Sequence, residues 1–503
     1  MMIKNKIGFS ILSLFSGFLI PLSLFAQQKS AKRGVGWDEK VRPLTAVDAS
    51  RLQAGVSWVY NWGVSADKDL DAYKADDGIV FVPQCWNADF DASRLRAWLK
   101  AHPNTRYLLG FNEPNFSSQA NMTPTDAAKA WPILEEIAKD FNLKLVAPAL
   151  NFSGEKVGGR TWSPYEWLDA FLEAYPTARI DALALHCYMN WYSAQTWFVT
   201  EYFYKDLYDP SKTDVYGKYP HIKKYFDTYG KKPMLLTEFC AWEGNKDGYT
   251  STLENQIDQM TQKIQKLEQS DLVEGYAWFM ANPQQSANSY PFNNMFAANT
   301  AGSELSELGK VYVYMSTFDR NRYYATDETI LAKDYVDASM DNAIVRPRPN
   351  TEEGSDIPLQ VELQAASWTQ YQITVSGSGS YTLLLHGKWE ANSKPWIYVD
   401  GKKVSSNIPI SANGWGDIGT TLSLAAGEHQ LQVYNAGNNT FLLSYMKFDK
   451  TTAVNSVEND SHPIETRYYD LTGRRIAAPT RGITIKTVRT ANNQLRAVKV
   501  VRR

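Results

Sequence analysis

A chain of 503 residues, 44% of them hydrophobic, is too long for one core, so two or three domains are expected. The net charge of -2 hides an asymmetry: residues 467–503 hold ten Lys/Arg and one Asp, the first 26 residues hold two Lys, and the remainder therefore carries -13. An acidic body argues against nucleic acid as its partner, and three cysteines do not make a disulfide scaffold.

Lys4 and Lys6 precede an almost wholly apolar run from Ile7 to Phe25, which ends at Ala26. Residues 1–26 therefore read as a secretory signal. No Cys follows the run, which argues against a lipoprotein anchor, and no later stretch is long enough to span a membrane. Eight short apolar runs come next: Gly34–Trp37, Val56–Gly63, Ile79–Asn87, Tyr107–Asn115, Lys144–Asn151, Asp181–Tyr188, Met234–Cys240 and Glu274–Met280. Helical patterns lie between them, among them Thr125–Phe141 and Leu253–Leu267. Eight such units over roughly 250 residues predict an α/β fold, a (β/α)8 TIM barrel over residues 27–318. The rival, a doubly wound open sheet, would want a Gly-rich phosphate loop after a strand, and none is present.

Two of the runs deliver a carboxylate at their end. Glu113 precedes Pro114, which cannot join a ladder and biases Glu113 toward an extended backbone. Glu238 ends the seventh run. Each alone would read as a surface acid near a turn. Paired at barrel strand ends, they are what glycosidic bond cleavage needs. Asn112 is a neutral partner for a sugar hydroxyl, or else a turn-forming Asn before Pro. His186 and Tyr188 share a strand face, and either could orient a carboxylate or hold a sugar hydroxyl. Trp58, Tyr60, Trp62, Trp86, Trp191, Trp242 and Trp278 lie at or beyond strand ends. Trp62, Trp86 and Trp278 are the expected sugar platforms, with barrel packing taking some of the rest. Cys85, Cys187 and Cys240 show no zinc spacing and are expected as buried thiols.

Residues 319–450 change period. Trp368–Val375, Ser380–Leu385, Trp396–Val399, His429–Tyr434 and Phe441–Phe448 alternate as strands, with turns at Asp400-Gly401, Asn413-Gly414 and Ala426-Gly427, which predicts an antiparallel β-sandwich. Residues 451–463 read as a polar linker, and 464–503 as a small, basic, strand-rich C-terminal domain.

The strand ends resemble clan A of the glycoside hydrolases, with Asn112-Glu113 after strand four and Glu238 after strand seven. Val56–Gly63, Phe81-Val82-Pro83, Tyr107–Asn115, Ser118–Pro124 and Leu236–Phe239 together resemble glycoside hydrolase family 128, over about residues 34–315. The resemblance implies a retaining endo-β-1,3-glucanase with Glu113 as acid/base and Glu238 as nucleophile. It implies a groove lined by Asn61, Trp62, Trp86, His186, Tyr188 and Trp278, and no metal or other cofactor. Tyr381-Thr382-Leu383, Gly414-Trp415 and Ala426–His429 are similar to carbohydrate-binding module family 6. Lys333 stands where such modules keep a calcium-binding acid, and Ser444 stands where they keep a sugar-binding Asn. Trp389 and Trp415 are the platform candidates there. The end, from Tyr468 through Arg474-Arg475 and Gly482-Ile483 to Arg503, is similar to the sorting domains of Bacteroidetes type IX secretion.

The expected protein is a secreted or surface-held monomeric glycoside hydrolase acting on β-glucan such as laminarin or curdlan. The alternatives are a non-catalytic surface glucan-binding protein, or a clan A glycosidase acting on another β-glycan.

Overall fold

The computed structural model describes residues 27–188, 217–240, 252–283, 292–339, 343–352, 356–406, 408–410, 413–450, 465–470, 474–478, 482–489 and 495–502. The expected signal and linker, and Trp191 and Trp242, lie outside the described residues. Eight parallel strands form one sheet: β1 Arg33–Gly36, β2 Trp58–Tyr60, β3 Val80–Phe81, β4 Tyr107–Leu109, β5 Lys144–Leu150, β6 Ala182–Cys187, β7 Met234–Phe239 and β8 Val273–Trp278. Their order is β3-β2-β1-β8-β7-β6-β5-β4. Gln84 and Leu109 form a further parallel bridge, and Leu109 N donates to Pro83 O at 2.9 Å. The sheet thus curls until the end of β3 meets β4, in the manner of a TIM-like barrel.

Helices α1 Ala46–Leu52, α2 Ala92–Ala101, α3 Pro124–Asp140, α4 Pro164–Ala174, α5 Pro220–Tyr229, α6 Leu253–Gln269 and α7 Glu307–Tyr314 connect or follow the strands. The β2–β3 connection has only the 3₁₀ turn Asp71–Tyr73. Local chemistry starts the helices. Thr45 with Asp48, and Ser163 with Glu166, form capping boxes, and Thr123 caps α3 ahead of Pro124. Strand alternation sorts the side chains. Trp58, Tyr60, Val82, Leu109, Val146, Ala184, Leu235 and Ala277 pack together as the interior of the curled sheet, whereas Val59, Phe81, Leu108, Leu145, Leu236, Tyr276 and Trp278 join the cluster that includes the helices. Gly34 is required by its neighbour: a Cβ there would come within 2.2 Å of the Trp58 ring.

The sandwich comprises β9 Val345–Pro349, β10 Leu359–Leu363, β11 Trp368–Val375, β12 Gly379–Trp389, β13 Pro395–Val399, β14 Lys402–Ser405, β15 Gly414–Leu424, β16 Gly427–Asn435 and β17 Phe441–Lys450. One sheet runs β9-β10-β17-β12-β15, the other β11-β16-β13-β14. Asp400 and Gly401, with φ of 50° and 73°, make the tight turn expected between β13 and β14. The sandwich docks on α6. Arg346 Nη2 lies 2.6 Å from Asp258 Oδ2, its Nη1 lies 3.1 Å from Glu362 Oε1, and it also pairs with Glu254. Gln265 Nε2 donates to Ala338 O at 3.0 Å. Residues 450–503 form a separate unit, where β18 Glu465–Tyr469, β19 Arg475–Ile476, β20 Gly482–Arg489 and β21 Leu495–Arg502 pair antiparallel in the order β19-β18-β20-β21.

Candidate active site

The C-terminal ends of the eight strands surround a cavity of about 800 Å³. Glu113, just after β4, is buried there with φ +43°, so the extended backbone expected from Pro114 is not what forms. Glu113 N donates to Ala149 O at 2.9 Å and Phe116 N donates back to Glu113 O at 2.9 Å, and this turn outweighs the pre-proline bias.

Glu238 reaches the cavity through a register shift in β7. Leu185 of β6 stands opposite Leu236, but the next residue, His186, stands opposite Glu238. β8 shows the same slip, with Tyr276 opposite Leu236 and Trp278 opposite Phe239. Leu235 faces the interior and Leu236 the helices, so strict alternation would turn Glu238 outward. The extra residue turns it back in, as bulges do.

His186 lies between the acids. Its Nδ1 is 2.7 Å from Glu113 Oε1 and 3.4 Å from Glu238 Oε2, and its Nε2 is 3.1 Å from Thr237 Oγ1. Asn151 Nδ2 donates to Glu113 Oε1 at 3.0 Å. Trp62 Nε1 donates to Glu238 Oε1 at 2.7 Å, Tyr60 OH reaches the same oxygen at 3.4 Å, and Tyr188 OH donates to Glu238 Oε2. One ligand atom each of Glu113, His186 and Glu238 lies within 4.8 Å of the other two, the one cluster of metal-ligand spacing among the described residues. N–H and O–H donors from Asn151, Trp62 and Tyr188 already engage these carboxylates, which suits anions held by hydrogen bonds better than a metal cage.

Charge follows from this packing. Burial raises the Glu113 carboxyl, but the His186 charge and hydrogen bonds from His186 and Asn151 outweigh it and hold Glu113 below the usual range. Burial pushes Glu238 up; His186, Tyr188 and Trp62 pull it down, the Glu113 charge adds to the rise, and the balance is upward. Burial alone would lower His186, but the charges of Glu238 and Glu113 raise it. Burial and the charge of Glu238 put the phenols of Tyr60 and Tyr188 well above their usual range, so both remain O–H donors.

The other expected residues divide. Trp86 is half-buried, packs against the core on one side and lines the cavity. Trp62 lines it too, but its indole N–H is committed to Glu238. Asn112 lines the cavity, donating to Gln119 Oε1 at 3.2 Å and accepting from Gln84 Nε2 at 3.4 Å. Asn61 lines it, but its amide supports the loop, through Glu39, Ser65 O and Gly63 N. Trp278 is no platform. It is fully buried, donates to Asn293 O at 3.0 Å and packs edge-on to Phe239, because its position on β8 faces the helices; Phe279, one residue on, lines the cavity. In the sandwich, Trp389 likewise is buried against Phe441, whereas Trp415 is half-buried and stacked beside His386. Cys85, Cys187 and Cys240 are buried as expected. The residues not foreseen are Tyr60 as a Glu238 contact, Asn151, Thr237 and Phe279. Asn151 ends the fifth apolar run much as Asn112-Glu113 ends the fourth, and that was the available signal.

Paired buried carboxylates with an imidazole between them, at the C-terminal lip of a TIM-like barrel, define a hydrolase of glycosidic bonds. Residues 34–312 match the glycosyl hydrolase catalytic core, so the chain belongs to that family and is a glycoside hydrolase. Solved structures similar to it include a family 128, subgroup II endo-β-1,3-glucanase from Pseudomonas viridiflava, 36% identical over 57% of this chain and 98% of that one, with a TM-score of 0.44. A subgroup II enzyme from Sorangium cellulosum is 28% identical over 56% and 97%, with a TM-score of 0.42. A subgroup I enzyme from Amycolatopsis mediterranei, in complex with laminaritriose, is 24% identical over 54% and 95%, with a TM-score of 0.36. No curated protein matches the chain.

Proposed function

We propose that this glycoside hydrolase is an exported family 128 enzyme that cleaves β-1,3-glucan with retention of configuration. The observation that carries the mechanism is the approach of the Glu113 and Glu238 oxygens to within 4.8 Å. Retaining glycosidases hold their carboxyl groups about 5–5.5 Å apart, whereas inverting ones leave room for a water. In the first step Glu238 attacks the anomeric carbon and forms a glycosyl ester. The bond to the leaving sugar breaks, and its oxygen takes a proton from Glu113. In the second step water attacks the anomeric carbon, Glu113 takes its proton, and the ester breaks to free Glu238.

A low Glu113 suits its part as base in the second step, whereas the raised Glu238 must give up any proton before it attacks in the first. For the first step the acid proton comes from His186, whose Nδ1 faces Glu113 Oε1 at 2.7 Å. The three groups share that proton and titrate together. What supports β-1,3-glucan as substrate is sequence: the motifs around Trp62, Glu113 and Glu238, and 36% identity to the P. viridiflava enzyme. An adjoining cleft of about 430 Å³, lined by Trp86, Asn87, Phe90 and Arg94, extends the cavity into a groove and favours endo action. The apolar run of 1–26 supports export, and the basic C-terminal domain supports type IX-type sorting.

Product analysis on laminarin and curdlan, with Glu113→Gln and Glu238→Gln alongside, tests the reading. Oligosaccharides of retained configuration from the parent, and near-silence from both variants, are expected. Activity confined to another β-glycan would overturn the substrate, and inverted products would overturn the mechanism.

A further inference from the structure

The sandwich carries a second surface of the right chemistry for a sugar. Strands β11, β16 and β13 are neighbours, and their registers set Trp368 opposite Tyr434 and Tyr434 opposite Trp396. Residues directly opposite in a ladder point to one face. The alternating positions Tyr371, Leu431, Val433 and Ile397 are fully buried in the sandwich core, so the aromatic row is on the outer face. By the same registers Gln370, Gln432 and Tyr398 form a second row beside it. All six side chains are half-buried. Three adjacent strands make each row about 10 Å wide.

The rings lie close together. Trp396 and Tyr434 have centroids 5.9 Å apart and planes 33° apart, and Tyr398 stands edge-on to Tyr434 at 6.1 Å. Next along β11 on the same face, Gln372 is buried and its Oε1 has no hydrogen-bond partner. Asp337, opposite Gln370, is already held by Gln265 and Gln269. Within β11, β16 and β13 the two rows hold no charged side chain, in a protein where charged residues make up 21%. On the next strand, β14, Lys403 stands opposite Tyr398, is exposed and rests over Trp396, 3.9 Å from its centroid, so it borders the rings on that side.

A face of rings and amides, with Asp337 and Lys403 only at its two ends, suits an uncharged ligand. That ligand must have C–H faces to lie on the rings and hydroxyls to meet groups that both donate and accept. We propose that the outer face of β11, β16 and β13 binds a β-linked glucan chain. The linkage rests on the substrate proposed for the barrel; the site itself does not.

The test uses the full chain carrying Glu238→Gln, so that bound polymer is not consumed, and measures its retention on curdlan and on cellulose particles. Adding Trp396→Ala with Tyr434→Ala should weaken retention by about tenfold. Trp396→Phe with Tyr434→Phe, which keeps the rings, should retain most of it. The same Ala pair in the active chain should still hydrolyse soluble laminarin, which shows that the fold persists. Unchanged retention in the Ala pair overturns the proposal, as does an equal loss from Trp415→Ala on the other sheet. Retention of neither polymer by the parent also overturns it. Retention that falls in the Ala pair, from a chain that does not hydrolyse laminarin, sustains the face and overturns the barrel's substrate instead.

Discussion

The indole N–H of Trp62 donates to Glu238 Oε1 at 2.7 Å, from a residue whose own φ is +63°. A bulky residue in that region costs energy that its surroundings must offset. Trp62 therefore aims the proposed nucleophile as well as lining the groove. Trp62→Phe keeps a ring and removes the donor. A hydrogen bond to a charged group contributes about 1.5–3 kcal/mol, so kcat on laminarin should fall about ten- to a hundredfold. A kcat left intact would mean that Tyr188 and Tyr60 suffice to hold Glu238.

His186 should show itself in pH dependence. It takes its proton more readily folded than unfolded, so its charge stabilises the fold below its unfolded value of about 6.5. That contribution is lost as pH rises through the raised folded value. Glu113, held low, behaves oppositely: its contribution is present above its ordinary value and lost as pH falls through the lowered one. His186→Asn should lower kcat by about 10²–10⁴. It should also remove the decline in melting temperature on the alkaline side of neutrality. A variant whose melting profile still declines there would place the titrating proton elsewhere.

Trp86 and Trp278 should separate binding from stability. Trp86→Ala, at the groove, should raise KM about tenfold and leave melting near the parent's. Trp278→Ala, in the core, should destabilise by about 3–5 kcal/mol and leave the KM of the folded protein unchanged. Kinetics and denaturant melts on both would show the reverse pattern if Trp278 were the platform.

Arg346→Met should be costly, because it leaves Asp258 buried without its cation and Glu362 with Arg348 alone. Burial already pushes the Asp258 carboxyl up in spite of Arg346. Removing one partner of such a cluster costs about 3–5 kcal/mol. Denaturant unfolding monitored by fluorescence measures it, and a midpoint equal to the parent's would contradict the role given to this cluster.

The strands, both carboxylates and the His186–Tyr188 pair were legible in the sequence, because each depends on an apolar run and a period of two. What was not legible depends on backbone events that leave little trace in residue types. Nothing in Met234–Cys240 announces that one added residue turns Glu238 inward. Trp278 and Phe279 are adjacent aromatics, and only the strand's registration decides which of them meets the cavity. Glu113 carries a pre-proline bias toward extended backbone, yet its turn bonds to Ala149 and Phe116 prevail. In the sandwich the same parity hid Trp389 in the core. The row of Trp368, Tyr434 and Trp396 comes from three separate runs and becomes visible only once they are paired.

The Arg346 cluster couples the sandwich to α6, the helix that follows the strand carrying Glu238. A module on a flexible tether explores many approaches to a solid polymer, and linker length governs its gain in local concentration. Here no such freedom separates the two parts. A polymer seated on the sandwich would meet the groove from one direction, so the protein would act as a ruler: its own dimensions, and not diffusion of a tethered head, would select the linkages within reach of the acids.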